Sequence, residues 1–414
     1  MNEATAHFIQ CHAEEDVRQL ALRGTKVADV DLLFALDQIA GRQTARHKLP
    51  TWAETEAIVF PPHLALEQCS SETTARYKAQ LIAEKMTTQG LWTTTAAEDP
   101  APRTSLLDLT GGFGVDFSFL APLFNEAVYV ERQSELYDIT RHNILQLGLK
   151  NAETVCTDSS DYLHQTTRHF TLIYIDPARR DIHGARTYAI SDCTPDVLSL
   201  RAGLTAKADM VLLKLSPMLD WRKAVSDLGE QWVREVHIVS VNNECKELLL
   251  LLYQGEGQRV VCVNDKQCFE CSGANVLSSR LLTGREEVPK PLTPPRFLYE
   301  PNASIMKAGC FNEVEARFGI SQIAPNSHLF LADRPVTEFP GRAFEVIAVT
   351  TMNKRELKET LHDIDKANIT VRNFPMTVVE LRRRLKISEG GSTYIFATTL
   401  ASGDRRLYVC HKVI

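Results

Sequence analysis

Hydrophobic and polar positions change rhythm twice along this chain. Over residues 1–95 apolar side chains recur at three-and-four spacing, clearest in Leu32, Leu33, Ala35, Leu36 and Ile39 and weaker over 14–22, which predicts a small helical bundle. Ser70 and Ser71 then offer caps for a helix running to about Met86. From Leu106 short apolar runs alternate with helical patterns, with strands expected at 106–109, 127–131, 152–158, 170–176, 210–214, 236–241, 247–253 and 260–263. A helix is expected at 134–147, closed by Gly148. Alternation of this kind predicts a parallel sheet covered by helices. The glycines at 254–258 predict a hairpin that makes the last of these strands antiparallel. After a proline-rich stretch at 284–295 the rhythm turns mixed, with strands expected at 344–350, 393–399 and 407–413 and helices at 354–362 and 377–385.

These patterns divide the chain into a helical domain at 1–95, a sheet domain at 96–285 and an α+β domain at 286–414. Composition agrees with a globular protein: 44% of the 414 residues are hydrophobic and 24% charged. No apolar run reaches the roughly 18 residues of a membrane helix, and the start lacks a basic-then-apolar leader, so a cytoplasmic protein is expected. Ten cysteines lie scattered and are expected to be reduced. Cys268 and Cys271 have zinc-ligand spacing, but no second pair follows at a zinc-ribbon distance, and no metal is expected. The net charge of −6 does not mark a nucleic-acid binder, yet it is uneven. Residues 1–100, 101–280 and 281–414 carry −5, −5 and +4, so only the last third is basic.

Chemistry concentrates where strands end. The run Leu106-Leu107-Asp108-Leu109-Thr110-Gly111-Gly112-Phe113-Gly114-Val115-Asp116 reads as strand, tight turn and helix start, the form of a nucleotide-binding turn. Phe117 stands where a dinucleotide fold needs a small residue for close helix packing, which disfavours NAD. Val115-Asp116 supplies neither the lysine nor the hydroxyl of a P-loop. A nucleoside ligand without phosphates remains. Three further strands end in acids, Glu131, Asp158 and Asp176, and parallel sheets bind ligands at those ends. Glu131, 23 residues after Asp108, suits a pair of ribose hydroxyls, and Asp158 an exocyclic amine of adenine. Asp116 in place of a phosphate-binding residue suits a cationic or zwitterionic ligand, while Ser70 and Ser71 either only cap their helix or also face a carboxylate bound beside it.

With Asp108, the glycine turn, Glu131, Asp158 and Asp176-Pro177 together, the chain resembles the class I S-adenosylmethionine-dependent methyltransferases over about residues 65–280. The resemblance implies a Rossmann-like α/β fold with a seven-stranded sheet and S-adenosylmethionine as cofactor. It assigns Asp108, Thr110, Gly111, Gly112, Gly114, Asp116, Glu131, Asp158, Ser70 and Ser71 to cofactor binding, and Asp176 with the Pro177 carbonyl to catalysis. Family members that methylate base amines carry an acid or amide, two prolines and an aromatic residue here. Asp176-Pro177-Ala178-Arg179 keeps the acid and first proline, and Tyr188 is the candidate replacement for the stacking ring. Cys193 is poorly placed to be a base-attacking nucleophile, so amine methylation is favoured.

Arg179, Arg180 and Lys214 are candidates for a phosphate of the substrate, or for pairing with neighbouring acids. From Arg296-Phe297-Leu298-Tyr299 onward the chain is similar to the THUMP-like domains of bacterial methyltransferases, which implies RNA, ribosomal or transfer, as the partner. Arg382, Arg383 and Arg384 would track its backbone unless they only form a solvated helix face. The expected activity is methylation of an exocyclic base amine in RNA, guanine N2 ahead of adenine N6. The alternatives are methylation of a protein or small-molecule amine, and a non-catalytic RNA-binding protein that keeps the cofactor fold.

Overall fold

The computed structural model describes residues 2–23, 29–90, 103–179, 189–272 and 296–413. The chain divides into two compact units, one formed by Met1–Arg234 with Leu250–Gly255, the other by Glu235–Leu249 with Glu256–Ile414.

In the first unit five parallel strands form the centre: β1 (Ser105–Asp108), β2 (Glu126–Glu131), β3 (Ala152–Cys156), β4 (Phe170–Ile175) and, after two short strands, β7 (Ala208–Leu215). The short strands are β5 (Ala178–Arg179) and β6 (Cys193–Thr194), an antiparallel pair. The order is β7-β4-β1-β2-β3. Strand β1 thus has its successor β2 on one side and β4 on the other, and the order reverses between β1 and β4, where open α/β sheets bind ligands. All six residues of β4 are buried, which is why its sequence reads as an unbroken apolar run.

The N-terminal helices belong to this same unit. Trp52, Phe60, Leu49 and Ile58 form one apolar cluster with Phe113 and Val115 of the glycine turn. The Trp52 and Phe113 rings lie 4.8 Å apart at 57°. Burying a large side chain in this way stabilises by about 2–3 kcal/mol, so the helices fasten the turn. The amide of Asn143 closes the joint from the other side: its Nδ2 donates to the Val59 carbonyl at 2.8 Å and its Oδ1 accepts from the Val59 N–H at 2.9 Å.

Strands β8 (Val233–Val241) and β9 (Glu244–Tyr253) are joined by Asn242 and Asn243, both in the left-handed region with φ of 52° and 60°. A two-residue turn of that conformation matches the twist of a hairpin. Here the expectation needs correcting, because the hairpin is not at 254–258. Leu250–Tyr253 of β9 lie next to β7 in the first unit. In the second unit β10 (Arg259–Asn264) pairs with β8 in parallel, and it is β11 (Gln267–Ser272) that runs antiparallel to β10. The glycines 255 and 257 carry the chain across rather than back. Among the described residues between Ser105 and Ser272 the main strands number nine, where seven were expected.

The rest of the second unit is a seven-stranded sheet in the order β13-β14-β12-β15-β18-β17-β16. Its strands are β12 (Phe297–Pro301), β13 (Ser321–Gln322), β14 (Phe330–Ala332), β15 (Gly341–Thr350), β16 (Asn368–Arg372), β17 (Thr393–Thr399) and β18 (Arg405–Lys412). Phe344, Phe396, Leu298 and Tyr408 fill one core of this unit. Among the described residues no helix is long and apolar enough to cross a membrane.

Candidate active site

The glycine turn leaves β1 through a set of backbone contacts that permit little else. The Gly111 N–H donates to the Val130 carbonyl at 2.8 Å, and a Cβ at 111 would overlap the buried ring of Tyr129. Gly114 has a φ of 78°, and a Cβ there would stand 2.6 Å from the Thr140 methyl. Both glycines are therefore demanded by sterics. The Gly112 carbonyl accepts from the hydroxyls of Tyr129 and, at 3.0 Å, Thr140. Phe117, read as an obstacle to a dinucleotide turn, is fully buried with its ring edge-on to Tyr129 at 5.6 Å.

Glu131 ends β2 beneath this turn. Its Oε2 accepts from the Gly112 N–H at 3.0 Å and its Oε1 from the Gln133 N–H at 2.8 Å. Two backbone donors fix the carboxylate plane, and each oxygen keeps a lone pair for a diol. Asp158 is half-buried and caps the helix Ser159–Gln165, its Oδ1 accepting from the Ser160 N–H at 2.8 Å. The Ser159 hydroxyl donates to the Leu109 carbonyl at 2.6 Å, which ties that helix start to the end of β1. Thr110 works from its side chain, as its Oγ1 accepts from the Asp176 N–H at 2.6 Å.

Asp108 is buried and accepts the Thr110 N–H at 3.0 Å. Burial first, and then the neighbouring carboxylates, push its carboxyl well above the usual range despite that bond. Asp116 goes the other way. Burial would raise it, but the ammonium charges of Lys78 and then Lys214 hold it at about 2. Lys78 Nζ lies 3.1 Å from Asp116 Oδ1, and the hydroxyls of Ser70 and Tyr174 each donate to Oδ2 at 2.7 Å. The carboxylate expected to meet a cationic ligand is thus turned toward protein cations. Lys214 Nζ is 3.7 Å from Asp116 and donates to Asp176 Oδ2 at 2.6 Å.

The structure therefore brings Ser70, Asp108, Thr110, the glycines, Asp116, Glu131, Asp176 and Lys214 to the carboxyl ends of β1, β2, β4 and β7. Ser71 caps its own helix, Glu72–Thr88, accepting from the Thr74 N–H at 3.3 Å. Pro177 is buried and Arg179 pairs through its backbone with Cys193. The Arg179 side chain, Arg180 and Tyr188 lie outside the described residues. Arg382, Arg383 and Arg384 fall in the second unit, on the helix Val378–Leu385. Arg382 donates to the Ala367 carbonyl at 3.0 Å, and the other two are exposed. Sequence reasoning missed Lys78 and Tyr174. The available signal was a lysine standing in the buried stripe of Thr74, Ala75, Leu81 and Ile82.

Residues 341–412 match the THUMP domain-like family and residues 297–340 a ferredoxin-like domain. The crystal structure of a proposed methyltransferase from Porphyromonas gingivalis W83 superposes with a TM-score of 0.81 and 29% identity, covering 99% of this chain and 98% of that one. Over nearly its whole length the chain is similar to that proposed methyltransferase, and its C-terminal segment is THUMP-like. An uncharacterized S-adenosylmethionine-dependent methyltransferase of Mycobacterium tuberculosis is 25% identical over 84% of this chain and 87% of its own. The site fits S-adenosylmethionine, the cofactor that this relative's name carries. The glycine turn has no phosphate-binding side chain, the Gly111 cradle admits no Cβ, and Glu131 presents two fixed acceptors.

Proposed function

We propose that the methyltransferase acts on an exocyclic amine of an RNA base, guanine N2 ahead of adenine N6. The observation that carries this reading is the setting of Asp176. Its N–H is held by Thr110 and its Oδ2 by Lys214, yet its side chain keeps 35% exposure at the mouth of the sheet. An acceptor amine placed there would donate one N–H to the Asp176 carboxylate and another to the Pro177 carbonyl, which orients the nitrogen lone pair. When bound, S-adenosylmethionine supplies an electrophilic methyl on a sulfonium. The Asp176 carboxylate would take up the proton that the acceptor amine gives up. Rate enhancement comes mainly from orientation in such a site. Glu131 would hold the ribose and Asp158 the adenine edge.

RNA as the acceptor is supported by the THUMP-like segment, by the +4 charge of residues 281–414 and by the exposed Arg383 and Arg384. The test is mass-spectrometric comparison of nucleosides from ribosomal and transfer RNA of cells with and without the gene. Loss of one N-methylated nucleoside is expected. Unchanged RNA, with label from methyl-tritiated cofactor entering protein, would move the acceptor to a protein amine.

A further inference from the structure

The charges behind Asp176 run from Lys214 through Asp116 to Lys78, each facing the next. Lys78 is wholly buried in the middle of an amphipathic helix, 3.1 Å from Asp116 and 3.4 Å from the Ser70 hydroxyl. A buried ion pair is often no better for stability than apolar side chains of equal volume, so its retention calls for another reason. The geometry supplies one. Lys214 stands between two carboxylates, 2.6 Å from Asp176 and 3.7 Å from Asp116. Asp116 is the more buried of the two, with 9% side-chain exposure against 35%, and so has the greater need of a cation. Water reaches Asp176 and can replace the ammonium there.

We propose that Lys78 is a positioning residue for methyl transfer: by satisfying Asp116 it leaves Lys214 to Asp176 and so fixes the carboxylate that receives the amine. The proposal rests on the reading of Asp176 as the acceptor-binding group. Without Lys78, the buried Asp116 draws Lys214 inward, and Asp176 loses the bond that orients it. The Ser70 and Tyr174 hydroxyls on Asp116 Oδ2 leave Oδ1 facing Lys78, which explains why a residue of the N-terminal helices takes part at all.

The test uses the full chain. In Lys78→Met, crystallography should find Lys214 Nζ closer to Asp116 than to Asp176. Turnover on total RNA from cells lacking the gene should fall about tenfold or more, with affinity for S-adenosylhomocysteine kept within about twofold by calorimetry. Lys78→Met leaves the buried Asp116 charge uncompensated, which opposes folding, so the neutral pair Lys78→Met with Asp116→Asn is made beside it. In that variant Lys214 should return to Asp176 and most of the lost turnover should be recovered; the displacement of Lys214 in Lys78→Met and its return here are the readout that a merely structural role for Lys78 would not move. A Lys214–Asp176 bond unchanged in Lys78→Met, or a double variant in which that bond is absent, would overturn the proposal. Should wild type place no label on RNA, the acceptor assignment fails, while the crystallographic comparison still decides the role of Lys78.

Discussion

Glu131→Gln separates two roles that the carboxylate could combine. In the wild type Oε2 takes the Gly112 N–H at 3.0 Å and Oε1 the Gln133 N–H at 2.8 Å. Whichever way the new amide settles, its NH2 faces one of these donors. One charge-assisted bond is lost and one part-buried N–H is left without its acceptor, a cost of about 1.5–3 kcal/mol at most in folding stability. If the remaining lone pairs also hold the ribose, the same substitution removes a charged acceptor from the diol, again about 1.5–3 kcal/mol, or roughly 10- to 150-fold in affinity. Calorimetry with S-adenosylhomocysteine and with its 2′,3′-dideoxy analogue distinguishes the two. The wild type should bind the dideoxy analogue as weakly as Glu131→Gln binds the parent compound, and the variant should lose little more on the analogue. An equal fold-loss for both ligands would mean that Glu131 acts only by shaping the glycine turn, and unchanged affinity for the parent would remove it from the ribose site.

Three further outcomes are expected. Asp176→Ala should keep cofactor affinity within about tenfold yet abolish label transfer, so an active variant would end its role as the acceptor-binding group. Asp108 has a carboxyl raised by burial, so its neutral form is the stabilising one. The stability it confers is complete below its unfolded value near pH 4 and declines as pH rises through the folded one. Asp108→Asn should remove that decline and leave the melting temperature at pH 8 equal or a few degrees higher, whereas a fall of more than about 5 °C there would show that the charged form is needed. Replacing Arg383 and Arg384 together by alanine should lower the salt slope of ribosomal or transfer RNA binding by about 1–2, while an unchanged slope would make them a solvated helix face.

Local patterns were legible because their causes are local. Period-two and period-3.6 spacing, the glycines after Asp108 and the serine cap at 71 act within a few residues, and they determined the strand–turn–helix unit and the acids at its neighbours' ends. Strand order was not legible in the same way. The runs 236–241, 247–253 and 260–263 are all apolar, and nothing in such runs states which pairs with which. The hairpin was decided by two asparagines able to take positive φ, not by the glycines at 255 and 257. The C-terminal strands β12, β14 and β16 were missed because each is short, five residues or fewer.

By itself the sequence determined a glycine turn shaped for a nucleoside and the acids beside it. Tertiary structure decided what those side chains do. Phe113 became the point where the N-terminal helices clamp the turn, because Trp52 and Phe60 meet it across more than 50 residues of chain. Asp116, which looked open to a ligand, was claimed by Lys78 and Lys214, and Asp176 received Lys214 in turn. A lysine in an apolar stripe cannot announce its partner, since the partner lies 38 residues away and only packing sets their distance. Burial then converts that distance into energy, because a charge removed from water must find its counter-charge within the fold.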